Sequence, residues 1–360
     1  MEPLKELFNK SYFLHLADEI KKAFKSFDSN NFLKEVTQNL DSLSLNERMR
    51  NTSIVLKNYL PQDYKKAISI LYKVIPNTQS GYTNLVFPDF VGLYGHDHFD
   101  ISLEALKYFT QFGSSEFAIR EFLKRDFDKT IKVMNQWAKD KNHHVRRLAS
   151  EGSRPRLPWS FKLDEVIKNP KSTQRILEAL KTDEELYVKK SVANHLNDLS
   201  KDNTAHMLEL IKAWDKNNTH TAWIMKHASR TLIKKGNAES LAIFEFEKDP
   251  KIQLANFKVI KPKLKLGQHL EFEFDLISEK RKDQKLVVDY ILHYCKKGSE
   301  LTKKVFKLKD LTLKPGQKIT ISKKQLLKDF STRKHYTGTH FIEIQVNGKS
   351  YGKLAFKLNA

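Results

Sequence analysis

Residues 143–159 read HHVRRLASEGSRPRLPW. Val145, Leu148 and Ala149 recur three and four apart, the apolar face of a helix, and Arg146 and Arg147 fall at its edge. Gly152 lets the chain leave that helix, and Pro155 and Pro158 stiffen the loop beyond it. The same grammar, a branched residue followed by basic and then small ones, recurs as Val188-Lys-Lys-Ser-Val-Ala193 and Ile224-Met-Lys-His-Ala228. The leading residues are 43 and then 36 positions apart. Trp137 and Trp214 each precede a turn rich in Asp, Lys and Asn. That period is the signature of two-helix repeats of the HEAT type, in which each pair buries its face against its neighbours and the array offers a concave surface. An irregular helical bundle is the plainer alternative, because the period varies.

Working outward, residues 1–247 read as helical, with LFNKSYFLHLADEIKKAF and DYKKAISILYKVI carrying helical periodicity. Near Phe246 the period changes to two. Leu270, Phe272, Phe274 and Leu276 share one face of LEFEFDL, Asn347-Gly348 is a hairpin signal, and Pro315-Gly316 marks another turn. The expected architecture is multidomain: an all-α HEAT-like repeat solenoid over 1–247, then a small all-β immunoglobulin-like sandwich over 248–360.

The formal charge of +21 is unevenly distributed. Residues 1–247 hold 38 Lys/Arg against 32 Asp/Glu, whereas 248–360 hold 26 against 11. The sandwich region therefore carries +15 of the excess, a field suited to nucleic acid, with an anionic membrane surface as second choice. A single cysteine, Cys295, excludes an intrachain disulfide and a thiolate metal cluster. No stretch of 18 apolar residues occurs, and MEPLKELFNKSYF lacks the apolar core of a signal peptide, so a cytoplasmic protein is expected. His96, His98 and Asp100 imitate a metal triad, but Asp100 reads better as an N-cap, and neither HExxH nor a glycine-rich phosphate loop is present.

Candidate site residues cluster around the opening stretch. Glu151 lies among Arg146, Arg147, Arg154 and Arg156, and an ordinary i,i+4 pair with Arg147 is its plain reading. Arg154 and Arg156 offer forked donors suited to phosphate, and Trp159 suits packing on sugar or base. Glu121, flanked by Arg120 and Phe122, lies one repeat upstream, so adjacent helices would bring it to the same surface; Glu116 competes for that role. Asn194 and Asn197 share a helix face one repeat downstream, with helix capping by Asn197 or Asp198 as the simpler account. In the sandwich, TRKHY at 332–336 sets Arg333, Lys334, His335 and Tyr336 together as a contact loop or a solvated turn.

WAKDKNHHVRRLASEGSRPRLPW, SVANHLNDLSKD and TRKHYTGTHFIEIQVNG together resemble the AlkC family of bacterial DNA alkylation repair glycosylases, relatives of AlkD, along nearly the whole chain. The resemblance implies a monofunctional, monomeric glycosylase that excises 3-methyladenine and 3-methylcytosine from double-stranded DNA. It implies neither metal nor organic cofactor, no membrane partner, and a lesion engaged without a deep extrahelical pocket. It also implies Glu121 and Glu151 as catalytic carboxylates, matched through REF and ASEG, and favours Trp159, which lies in the motif itself. From their own chemistry and placement, Phe122, Arg147, Arg154, Arg156, Trp159, Asn194, Asn197 and the Arg333–Tyr336 loop are expected on DNA. The chemistry suits carboxylates, because a cationic base leaves readily and the developing charge lies on the sugar. A non-enzymatic nucleic-acid-binding repeat protein is the alternative, separated only by base release.

Overall fold

The computed structural model describes residues 3–297, 300–330 and 334–359. The helices run α1 (Lys10–Ala23), α2 (Ser29–Val36), α3 (Leu45–Tyr59), α4 (Tyr64–Val74), α5 (Val86–Tyr94), α6 (Phe99–Phe109), α7 (Glu116–Arg125) and α8 (Phe127–Trp137). They continue as α9 (His143–Gly152), α10 (Asp164–Lys168), α11 (Gln174–Leu180), α12 (Leu186–Asp202), α13 (Thr204–Lys212), α14 (Thr219–Ala228), α15 (Arg230–Lys234) and α16 (Ala238–Ile243). Many starts are set by short polar side chains: Asp28, Asp63, Asp126 and Asn142 each accept from a first-turn N–H. Asp100 lies in the first turn of α6, where His98 holds the cap position.

Helices α3, α5, α7, α9, α12 and α14 stack side by side as one layer, each touching the next; α4 and α6, and α8 and α11, pair behind them. This is the solenoid expected from the repeats, and it begins at α3, well before the first repeat visible in the sequence. Val145, Leu148, Ala149, Val188, Val192, Ala193, Ile224 and Ala228 are all buried, so the repeated grammar is the core-facing stripe of consecutive inner helices. Gly152 ends α9 where a Cβ would come within 2.5 Å of Ile119 Cγ2, so a side chain there would push α9 off α7. Among the described residues, no helix is long and apolar enough to cross a membrane.

The chain forms two compact units, Met1–Ala228 and Ser229–Ala360. In the second, the strands are β1 (Ile252–Val259), β2 (Lys263–Lys265), β3 (His269–Ser278), β4 (Gln284–Cys295), β5 (Leu301–Leu313), β6 (Lys318–Leu326), β7 (Gly338–Val346) and β8 (Lys349–Asn359). One sheet has the order β1-β3-β6 and the other β2-β8-β7-β4-β5. Pairing is antiparallel except for β2 with β8. Leu270, Phe272, Phe274 and Leu276 are buried and meet Tyr290, Leu292, Ile342 and Ile344 in a shared core. This is the immunoglobulin-like sandwich. Asn347 and Gly348, at φ 47° and 83°, make the β7–β8 hairpin turn that the sequence signals. Helices α15 and α16 belong to this unit: Ile233 and Leu241 pack with Phe246 and Val287, and Gln345 donates to Lys234 O at 2.8 Å.

Candidate active site

Arg147 projects from α9 between two carboxylates. Its Nη1 donates to Ser114 Oγ at 2.6 Å and to Glu116 of α7, and its Nη2 lies 3.5 Å from Glu151 Oε1. Arg154, three residues beyond Glu151, donates from Nη1 to the same Oε1 at 2.6 Å and from Nε and Nη2 to Asp198 Oδ2 of α12, each at 2.8 Å. Helical spacing of four sets Glu151 against Arg147, the turn beyond Gly152 brings Arg154 back to it, and inner-layer stacking adds Glu116 on one side and Asp198 on the other. The result is an alternating chain, Glu116–Arg147–Glu151–Arg154–Asp198, across three adjacent inner helices. Lys201 Nζ, 2.9 Å from Asp198 Oδ1, closes its far end, so three carboxylates meet three cations.

Glu151 is 6% exposed. Burial alone would raise its carboxyl, but Arg147 and Arg154, aided by Ser191, hold it below the ordinary carboxylate value. Burial would likewise lower both arginines, and the carboxylates outweigh it. The Arg147 guanidinium also lies 4.8 Å from the ring centroid of Tyr187, at the start of α12.

The loop after α9 is held at both ends by Arg120, whose residue exposure is 0%. Its Nη1 donates to Gly152 O at 3.1 Å and Arg154 O at 2.6 Å, its Nε to Ser160 Oγ at 3.0 Å, and its Nη2 to Phe161 O. Burial, then repulsion from Arg154, brings this guanidinium down to about 10. Between these anchors Arg156 makes a forked pair with Asp202, 2.6 Å on each arm. Trp159 stands 74% exposed with φ 63°.

Several residues lie elsewhere than the sequence suggests. Phe122 is 2% exposed and packs against His96 and Phe99, because the helical period turns it to the core; it lines no surface. Arg147 and Arg154 are not free phosphate forks but are engaged with carboxylates. Asn194 is half-buried and Asn197 buried on α12, and that helix runs on to Asp202, so neither Asn197 nor Asp198 caps it. Glu121 does not meet Glu151. It lines a cleft of about 740 Å³ between α3, α5 and α7, together with Arg50, Asp89, Phe117, Trp159 and Phe161. Asp89, in FPDFVGLYG, escapes sequence reasoning because it reads as one polar residue within an apolar run. Asp198 reads there only as a capping candidate. Its signal is an acid on the buried face of the same helix as Val188 and Val192. In the sandwich, Lys334 is exposed, Tyr336 is partly exposed, and His335 is held by Asp329, whose Oδ1 accepts from its backbone N–H at 2.8 Å. Arg333 lies outside the described residues.

A family model described as "DNA alkylation repair enzyme" matches residues 104–232, which contain the whole alternating chain. A second, described as "Uncharacterised protein YhaZ, C-terminal Ig-like domain", matches residues 253–360. Repeat solenoid, sandwich and charged chain thus define a helical-repeat protein of the DNA alkylation repair class. The sequence is 38% identical to "Uncharacterized protein YhaZ" of Bacillus subtilis (strain 168), over 99% of this chain and all of that one. The structure matches Pseudomonas fluorescens alkylpurine DNA glycosylase AlkC, solved with DNA containing an abasic site analogue. The TM-score is 0.96 at 44% identity, over the full length of both chains. The chain belongs to the AlkC family of DNA alkylation repair glycosylases.

Proposed function

We propose that the protein hydrolyses the N-glycosidic bond of cationic N3-alkylated bases in duplex DNA, at the face carrying the Glu116–Arg147–Glu151–Arg154–Asp198 chain. The observation that carries this reading is Glu151 in that chain, a nearly buried carboxylate held anionic beside arginines that can exchange a carboxylate for a phosphate. An N3-methylated adenine or cytosine bears a positive charge. When the C1′–N bond breaks, its electron pair neutralises the departing ring, so little acid assistance is needed at the base. The charge moves to C1′ and the ring oxygen of the sugar. A fixed carboxylate there stabilises the sugar cation, water adds to C1′, and its proton passes to a carboxylate or to solvent.

Glu151, anionic well below neutral pH, supplies that fixed charge. Glu116 rather than Glu121 serves as the second carboxylate, because it shares Arg147 with Glu151. An incoming phosphate takes over donors of Arg147 and Arg154 and so exposes the carboxylates to the lesion. Arg156 and Trp159 meet the backbone and the opened nucleotide, with Asn194 and Asn197 further along α12. Lys334 and Tyr336 contact DNA from the sandwich. An abasic product fits the ligand of the AlkC structure named above. Such a substrate sets the protein to work on chromosomal DNA in the cytoplasm.

The test is abasic-site formation on a duplex carrying 3-methyladenine under single-turnover conditions. Glu151→Gln and Glu116→Gln should each slow excision by about 10² or more while retaining DNA affinity. Tight DNA binding by the wild-type chain without any base release would leave only a DNA-binding repeat protein.

A further inference from the structure

Arg147 holds Glu116 and Glu151 at once, yet its hydrogen bonds leave one donor unused. Both terminal nitrogens are engaged, whereas Nε is buried and has no hydrogen-bond partner among the described residues. A buried N–H without an acceptor is a standing cost, and it pulls toward any acceptor within reach. A guanidinium turned to serve Nε would draw Nη1 from Glu116 or Nη2 from Glu151. Something other than a hydrogen bond keeps the fork in place.

The ring of Tyr187 is the neighbour able to do so. The guanidinium carbon lies over it, 4.8 Å from the centroid, the geometry of a cation–π contact. This placement follows from the sequence of α12. Tyr187, Ser191 and Asp198 are spaced by four and then seven, one stripe of that helix. The stripe meets Arg147, Glu151 and Arg154 in the same order: Tyr187 against Arg147, Ser191 against Glu151, Asp198 against Arg154. His144, three residues before Arg147, meets the same ring at 5.8 Å, so α9 grips Tyr187 from two positions one turn apart. Partial burial raises the phenol above its ordinary value; Arg147 opposes, and Glu116 and Glu151 add to the rise. The ring is therefore a neutral surface within the field of all three charges. At 43% exposed, it does not serve to fill the core.

We propose that Tyr187 is a positioning residue of the glycosylase reaction: its ring holds the Arg147 guanidinium so that the N–H fork stays on Glu116 and Glu151. The proposal rests on the glycosylase reading and adds to it the group that fixes the spacing of its carboxylates. A π face attracts the cation without an acceptor atom that competes for the fork. The same fork is then free to meet a phosphate when DNA arrives.

The test compares Tyr187→Phe with Tyr187→Leu in the full chain. Phenylalanine keeps the π face; leucine keeps an apolar side chain and removes it. Both variants should fold, because the position is half-exposed. Single-turnover excision of 3-methyladenine from a duplex should stay within about twofold of wild type in Tyr187→Phe and fall about tenfold in Tyr187→Leu, with Kd for that duplex unchanged within about threefold. Equal rates in all three proteins, or equal losses in the two variants, overturn the proposal. So does a loss confined to Kd, which would make Tyr187 a DNA contact. A second measurement needs neither DNA nor activity. With isotope-labelled arginine, the Arg147 Nε–H resonance of the free protein should be shifted upfield by the ring in wild type and Tyr187→Phe, and return toward the ordinary arginine position in Tyr187→Leu. The absence of that difference also overturns the proposal. The two readings fail separately. A ring-shifted Arg147 signal in a wild type that releases no base removes the glycosylase reading alone. Base release indifferent to Tyr187→Leu removes the role of Tyr187 alone.

Discussion

Replacing Glu151 by glutamine removes one negative charge and little volume, so its consequences can be worked from the geometry. The carboxylate lies 2.6 Å from Arg154 Nη1 and 3.5 Å from Arg147 Nη2, nearly out of solvent. Breaking a buried ion pair outright costs about 3–5 kcal/mol. Here each arginine retains another acid, Glu116 or Asp198, and glutamine's carbonyl still accepts from Arg154, so about 2–3 kcal/mol is expected. In a unit of this size, 1 kcal/mol moves Tm by roughly 2–4 °C, so the variant should melt roughly 4–12 °C lower at pH 7. Because the Glu151 carboxyl is held below its ordinary value of 4.5, its contribution is present above that pH and is lost as pH falls through the folded value. The Tm gap between wild type and variant should therefore close on acidification below pH 4.5 and stay constant above it. Salt should not close it, because buried pairs are poorly screened. Excision should fall by about 10², the typical cost of one lost transition-state electrostatic contact. At 25 °C the fold survives, so the two effects can be measured separately. Melting curves from pH 3.5 to 8, with abasic-site assays on the same preparations, decide it. A variant that melts with wild type and excises at wild-type rate would refute the assignment of Glu151 to either role.

Other groups carry their own expected outcomes. His195 is buried on α12 between Ser150 O and Thr173 Oγ1, and burial depresses it to about 4 from 6.5. The unfolded chain takes up that proton first, so stability should decline by up to about 3 kcal/mol as pH falls from 6.5 to 4; urea titrations would show this slope flattened in His195→Gln. Asp289 of β4 is raised to about 6 by burial, against Lys234 and Lys307. Its ionised form opposes folding, and stability is lost as pH rises from 3.8 through 6, so Asp289→Asn should stabilise the second unit by about 2–3 kcal/mol at pH 7 and not at pH 4. Pairing register puts Lys303, Lys353 and Lys357 on one outer face of the five-stranded sheet. Changing all three to alanine should flatten the dependence of log K on log salt by up to about 2.7, at 0.9 per phosphate contact, when DNA affinity is measured from 50 to 200 mM salt; an unchanged slope would move the DNA contact elsewhere.

The solenoid and the sandwich are legible in the sequence because both are written in burial periods. Val145, Val188 and Ile224 recur since each must fill the same layer of the stack, and the alternation of Leu270 to Leu276 is the inner face of one sheet. The first repeats leave no such trace: α3 and α5 join the same inner layer, yet α5 is apolar nearly all round, so its core stripe has no polar face to contrast with. The candidate site is legible only as far as local spacing reaches. Arg147 and Glu151 are four apart on α9, so their proximity follows from 3.6 residues per turn, and Arg154 lies only three residues further on, in the turn that leaves the helix. Which upstream glutamate faces them does not, because Glu116 and Glu121 are five residues apart, which is 500° of rotation or about 140° on the wheel. They therefore point to different neighbours: Glu116 to Arg147 on α9, Glu121 to the cleft it shares with Asp89 on α5. Repeat spacing identifies the helix correctly. The residue is decided by rotation about the helix axis, which is set by how Ala118, Ile119, Phe122 and Leu123 seat in the core. That rotation separates the two acids of one helix into two chemical settings, one among arginines and one among aromatic rings.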